Sequence, residues 1–143
     1  MTHIFRGATA LLAALLLAAC QPAPDTAPAA GSQGFDVRAF AGRFEGTLPC
    51  ADCPGIDSRL ELRADGSYSQ RDSYRGRDAS FDASGTWTVE DGGSRLRLHP
   101  DDEDGVDRLY GIVSNDALEM LSADGRPPDS GLDYTLRRAG ATP

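Results

Sequence analysis

From Phe35 onward, apolar residues alternate with polar ones in short runs, and no window of helical length repeats them three and four positions apart. Period two marks strands, because successive side chains of an extended chain point to opposite faces. Phe40, Gly42, Phe44, Gly46 and Leu48 form the first such set, and Ile56, Leu60 and Leu62 the second. Ala64-Asp65-Gly66-Ser67 then turns the chain into Tyr68, Gln70, Asp72 and Tyr74, since an Asp-Gly pair supplies the positive φ that tight hairpins require. A fourth run, Phe81, Ala83, Gly85, Trp87 and Val89, ends at Asp91-Gly92-Gly93. Leu96 and Leu98 mark a fifth, Val106 to Ile112 a sixth, Leu118 to Leu121 a seventh, and Leu132, Tyr134 and Leu136 an eighth. The pattern predicts an all-β domain, an up-and-down antiparallel eight-stranded β-barrel, in which closure removes exposed strand edges. A two-sheet sandwich is the alternative. Eight strands enclose a space that side chains fill or that holds one small ligand, and Gly42, Gly46 and Gly85 fall on the apolar side, where they allow tight curvature or leave room.

The N-terminus is of another kind. Met1 to Arg6 carries one fixed positive charge, and Gly7 to Ala19 is an apolar run of Leu and Ala, too short to span a bilayer, which takes about 20 apolar residues. This is a secretory signal pattern. It ends in Leu17-Ala18-Ala19-Cys20, which resembles the bacterial lipobox, in which small residues precede a cysteine that is acylated and becomes the mature N-terminus. Lipid attachment at Cys20 implies a membrane-tethered protein, since two acyl signals give stable anchoring. Gln21 after that cysteine implies the outer membrane under the sorting rule of such lipoproteins, with the domain facing the periplasm. The Pro/Ala-rich stretch that follows reads as a flexible linker. The expected organisation is a signal peptide over 1–19, a lipidated cysteine and linker over 20–34, a β-barrel domain over 35–139 and a tail over 140–143.

The net charge is −8, and loss of residues 1–19 removes Arg6 and no acid. An acidic chain without lysine points away from nucleic acid, because phosphate binding depends on clustered cations. Nothing in the sequence assembles an enzyme. His99 is the single histidine after the signal segment, beside Pro100, and no Gly-x-Ser-x-Gly elbow occurs. Asp101-Asp102-Glu103-Asp104-Gly105 reads as a solvated turn. Aligned as a calcium loop on Gly105, it places Pro100 at the first ligand position and Gly111 at the last.

Cys50 and Cys53 lie in Pro49-Cys50-Ala51-Asp52-Cys53-Pro54-Gly55. A thioredoxin-type pair needs a helix N-terminus to stabilise its thiolate, and here Pro54-Gly55 and a strand pattern follow instead. Structural zinc needs four ligands, which Cys50, Cys53 and His99 do not supply. Two readings remain: a disulfide-closed turn in an oxidising compartment, or a two-thiolate site for a soft ion such as Cu(I).

The run Gly46 to Ile56, with its Leu48-Pro49-Cys50-Ala51-Asp52-Cys53 core, resembles the hallmark of the NlpE copper-resistance lipoprotein family, in its N-terminal domain. The resemblance continues through Leu60-Glu61-Leu62, Asp65-Gly66-Ser67-Tyr68, Gly85-Thr86-Trp87, Asp116 to Leu121 and Asp133-Tyr134-Thr135-Leu136, in family order. It implies a lipocalin-like barrel on an outer-membrane lipoprotein, without enzymatic activity. It also implies a part in copper homeostasis and in envelope-stress signalling through a sensor kinase. Fuller family members carry a second, OB-fold domain with its own disulfide, and the expectation for this chain is the barrel alone. A carrier of a small apolar ligand in the barrel is the reading from another class.

Overall fold

The computed structural model describes residues 34–140. The expected signal peptide, Cys20, nearly all of the linker and the tail from 141 fall outside those residues. A single helical turn, α1 (Val37–Phe40), leads into β1 (Gly42–Leu48), β2 (Ile56–Leu62), β3 (Ser67–Tyr74) and β4 (Ser80–Glu90). There follow β5 (Arg95–Pro100), β6 (Arg108–Ser114), β7 (Ala117–Leu121) and β8 (Thr135–Arg138). Each strand pairs antiparallel with the next, and β8 returns to β1 through Phe44 opposite Arg138 and Glu45 opposite Arg137. The expected eight-stranded up-and-down antiparallel barrel is the fold.

The period-two pattern explains how it fills. Phe44 sits opposite Leu60, Leu96 opposite Tyr110 and Leu118 opposite Leu136. All six are fully buried, with Leu62 and Leu98. The outward positions of the early strands carry charge: Arg59 donates to Glu45 at 2.8 Å and Arg71 faces Asp82 at 3.3 Å. The interior is therefore a packed core.

The inward glycines bring backbone close to backbone and leave no room. A Cβ on Gly85 would fall on the His99 carbonyl, and one on Gly46 would lie 3.3 Å from the Leu136 Cα. Three element boundaries differ from the pattern. Phe40 is expected to open β1, but the Asp36 carboxylate caps α1 by accepting from the Arg38 and Ala39 amides, both at 3.0 Å, and the strand starts at Gly42. Val106 lies in an acidic loop before β6, because Asp102 forms a turn by accepting from the amides of Asp104 and Gly105. Leu132 precedes β8 and is exposed. Pro127 and Pro128 lack amide donors, Gly131 has a φ of 69°, and Asp133 accepts from the Thr135 amide, so the ladder starts at Thr135.

The two ends of the barrel are unlike. At one, Phe40 stacks between Phe35 and Phe44, with ring centroids 5.0 and 5.4 Å apart. Arg138 lies over the Phe44 ring at 4.6 Å and donates to the Phe40, Ala41 and Asn115 carbonyls. The opposite end carries the cysteine loop.

Candidate functional site at the barrel mouth

The connection between β1 and β2 runs from Pro49 to Gly55 and places both cysteines on one short loop. Cys50 and Cys53 are joined as a disulfide, with Cα atoms 5.3 Å apart. Neither sulfur then carries a proton, so the 3.5 Å approach of Cys50 Sγ to the Asp52 carboxylate is a contact and no hydrogen bond. Gly55 closes the loop at a φ of 148°, and a Cβ there would press on the Thr47 methyl group at 2.7 Å. The loop is tied to the turn after β3. Arg75 donates its amide to the Gly55 carbonyl at 2.9 Å, and Arg77 donates to both the carbonyl and the carboxylate of Asp52 at 2.8 Å. The hydrogen bond and charge of Arg77 hold the Asp52 carboxyl below its ordinary range. Arg75 acts likewise on Asp57, which also accepts from Thr47 at 2.8 Å.

One ligand atom each from Cys50, Asp52 and Cys53 lies within 4.8 Å of the others, and among the described residues this is the one such group of potential metal ligands. Two thiolates suit Cu(I), but the disulfide would have to be reduced first, and one Asp52 carboxylate oxygen, Oδ2, is already held by Arg77. His99 stands elsewhere, on β5, 3.1 Å from Asp107, which also accepts from Arg97. Arg97 in turn grips Glu90 through two nitrogens at 2.6 and 3.0 Å, which lowers the Glu90 carboxyl. The structure brings Cys50 and Cys53 together and keeps His99 apart from them.

Beside the loop is a cavity of about 260 Å³, walled by Leu48, Pro49, Ile56, Met120 and Leu121, with Asp72 and Arg108 also lining it. Asp72 is 5% exposed and belongs to a polar cluster inside the barrel. Its Oδ1 accepts from Ser58 Oγ at 2.7 Å and from Gln70 Nε2 at 3.0 Å, and its Oδ2 accepts from Arg108 at 2.7 Å. Gln70 Nε2 also reaches the Tyr110 hydroxyl at 3.3 Å, while Gln70 Oε1 is buried without a partner. Burial among apolar neighbours pushes the Tyr110 phenol up to about 12, a rise that the nearby Arg108 charge opposes. Burial works against the charge of Arg108, but the bond and charge of Asp72 outweigh it and raise its pKa. Residue-by-residue reading did not single out this cluster. Its trace in the sequence is that Gln70 and Asp72 occupy inward positions between Tyr68 and Tyr74.

A family model described as the NlpE N-terminal domain matches residues 44–131, which takes in the cysteine loop and most of the barrel. The chain belongs to the NlpE family. It is 31% identical over 135 residues to "Lipoprotein NlpE" of Escherichia coli (strain K12), covering 92% of this chain and 55% of that relative. It is 30% identical over 128 residues to the "17 kDa lipoprotein" of Treponema pallidum (strain Nichols), covering 85% of this chain and 81% of that one. Among solved structures, a lipoprotein from Shewanella oneidensis matches with a TM-score of 0.60 and 34% identity, over 71% of this chain and 91% of the other. The crystal structure of the Cpx pathway activator NlpE from Escherichia coli matches with a TM-score of 0.53 and 35% identity, over 71% of this chain and 52% of the other. The chain thus spans about half the length of the Escherichia coli relative. The resemblance read from the Cys50 to Cys53 segment and the expected barrel are both met. The matched relatives are lipoproteins by name, in line with a lipid-anchored family.

Proposed function

We propose that this chain is a non-enzymatic lipoprotein module of the cell envelope, anchored to the outer membrane through acylated Cys20, that contributes to copper tolerance and reports envelope stress. The observation that carries the reading is the family's cysteine loop, set at the open mouth of the barrel and fastened there by Arg75 and Arg77. The Escherichia coli relative is described as a Cpx pathway activator, which motivates the signalling half of the proposal. Copper would be held as Cu(I) by the Cys50 and Cys53 thiolates after reduction. A dithiolate Cu(I) unit would carry net negative charge, which the guanidinium of Arg77, seated on Asp52 Oδ2 beside the loop, would offset.

The test is deletion of the gene, with growth on graded copper and an envelope-stress reporter as readouts, followed by complementation. Wild-type chain is expected to restore both, Cys20→Ser to lose the membrane-linked signal, and Cys50→Ser to lose copper tolerance alone. Unchanged copper tolerance and an unchanged stress response after deletion would sink the proposal. Direct binding is checked by titrating the reduced chain with Cu(I) in an anaerobic competition assay. Equal stoichiometry in wild type and Cys50→Ser removes the metal site.

A second reading, a lipocalin-like carrier, draws on the mouth cavity of about 260 Å³. Apolar walls and the Asp72–Arg108 pair favour a small ligand with an apolar body and one polar end, in place of a wholly apolar one. Native mass spectrometry of the membrane-extracted chain tests it, and a spectrum with no bound small molecule counts against it.

A further inference from the structure

The barrel is closed by pairing all the way round, yet one wall is only half built. β4 has 11 residues and β5 has 6. Their register runs from Gly85 opposite Pro100 to Glu90 opposite Arg95, so Ser80–Ser84 has β3 on one side and no strand on the other. The direction of the backbone groups follows from two bonds to the β3 side: Trp87 donates its amide to Gly66, and Ala79 accepts from Tyr74. Odd-numbered residues of β4 therefore face β3, and Ser80, Asp82 and Ser84 turn their amides and carbonyls toward the gap. The Ser84 carbonyl accepts from the Asp101 amide at 2.8 Å, and beyond that point the chain turns away into the loop before β6.

Natural barrels and sheets guard such an edge with proline, lysine or a bulge. Ser80–Ser84 has none of the three: its register with β3 is unbroken, and the outward Asp82 is matched by Arg71 at 3.3 Å. Beside the edge lies a cavity of about 330 Å³ whose lining includes Phe81, Ala83, Pro100, Val106 and Arg108. Phe81 is 52% and Val106 79% exposed, both high for side chains of their size and kind. The loop above carries Asp101, Asp102, Glu103 and Asp104, which form no ion pair among the described residues.

We propose that the Ser80–Ser84 edge is a docking site for an extended, cationic segment of a partner protein, which adds a strand to β4. Main-chain pairing with Ser80 and Asp82 would supply affinity, as in other strand additions. Alternate apolar side chains of the segment would cover Phe81 and Val106, and its basic residues would meet the loop's four carboxylates, of which Asp101 already accepts from Ser84 Oγ at 3.0 Å and Asp102 from the Asp104 amide at 3.1 Å. The same charge excludes a second copy of this chain, since edge-to-edge pairing would set two acidic loops against each other. The inference stands independently of copper and of the disulfide.

A random dodecapeptide library displayed on phage, panned against the detergent-purified full chain, tests it. Selected peptides are expected to be net basic with apolar residues at alternate positions. Their synthetic forms should bind with fluorescence anisotropy signals that weaken as salt rises, and should slow amide hydrogen exchange over residues 80–84. Asp82→Pro blocks the edge and is expected to weaken binding at least tenfold. Should that variant misfold, Val106→Arg, on an exposed loop side chain, carries the test and should also weaken binding at least tenfold, since it removes an apolar contact and repels a basic segment. No enrichment, peptides that bind both variants as well as wild type, or protection elsewhere than residues 80–84 overturns the proposal. So does a dimer in sedimentation that Asp82→Pro dissolves, because the edge would then belong to a second copy.

Discussion

Replacing Asp72 by alanine removes the one carboxylate that organises the interior cluster. Ser58 and Gln70 lose an acceptor, and Arg108 loses its only ion-pair partner among the described residues. Breaking a buried charged pair costs about 3–5 kcal/mol, because the surviving charge is left unmatched. The Arg108 side chain is 36% exposed, however, and water at the mouth can reach it. The Gln70 to Ser58 bond also survives. Both facts place Asp72→Ala at the lower end, about 3 kcal/mol. At roughly 4 °C or more per kcal/mol for a domain of this size, the midpoint of thermal unfolding should fall by about 12 °C. Urea titration followed by Trp87 fluorescence measures the free energy directly. The double variant Asp72→Leu with Arg108→Met removes both charges and should be clearly more stable than Asp72→Ala, since an apolar pair of similar volume needs no partner. A loss under about 1 kcal/mol for Asp72→Ala, or a double variant at least as unstable, would refute the view that this pair is an internal electrostatic constraint.

Tyr110 predicts alkaline behaviour. Its folded pKa of about 12 lies above the ordinary value of 10, so its contribution is fully present below about pH 10 and is lost as pH climbs through 12. The total is on the order of 3 kcal/mol, read from urea midpoints across that window, and Tyr110→Phe should flatten the decline. Strand glycines differ with their surroundings, as inward Gly85 and outward Gly111 show. Gly85→Ala should cost about 1–3 kcal/mol or prevent folding, because the new methyl meets the His99 backbone, whereas a Cβ on Gly111 has its nearest neighbour, a Leu121 methyl, at 3.6 Å. Gly111→Ala should be neutral or gain up to about 1 kcal/mol, and comparable losses at the two positions would contradict this. Arg138→Met should cost about 2–4 kcal/mol in the same assay, since three carbonyls lose a donor and two rings lose a cation. An unchanged midpoint would show that the closed end does not depend on it.

How much of this was legible in the sequence differs from element to element. Phe44, Leu60, Leu62, Leu96 and Leu98 could be assigned to the interior because period two names a face without knowledge of partners. The cysteine loop was legible because its members are contiguous. The polar cluster was not: Gln70 is 40 residues from Tyr110 and Asp72 is 36 from Arg108, and alternation shows that two polar residues face inward without showing what they meet. The open half of β4 was hidden for a related reason. Phe81, Ala83 and Gly85 continue into Trp87 and Val89 without a break in pattern, and only pairing reveals where the neighbour ends. The signal was the acidic run 101–104, which supplies too many like charges to continue β5.

The disulfide bears on whether a copper-binding or redox role is compatible with a stable barrel. Its two cysteines are separated by three positions, so the loop it closes restricts the unfolded chain very little. Loop-closure entropy for about four residues amounts to only about 2 kcal/mol, less than the loss expected from Asp72→Ala. The loop also has holders that do not involve sulfur: the Arg75 amide on Gly55, and Arg77 on Asp52. Reduction should therefore release two thiols at the mouth while leaving the loop in place and the barrel folded. A thiol-based function needs that combination, and it confines the consequences of the redox state to the open end. The closed end, with Phe40, Phe44 and Arg138, is on the far side of a packed core from the cysteines. A reduced chain whose urea midpoint falls by much more than 2 kcal/mol in equivalent stability would show that the loop is a staple for the fold and not a site.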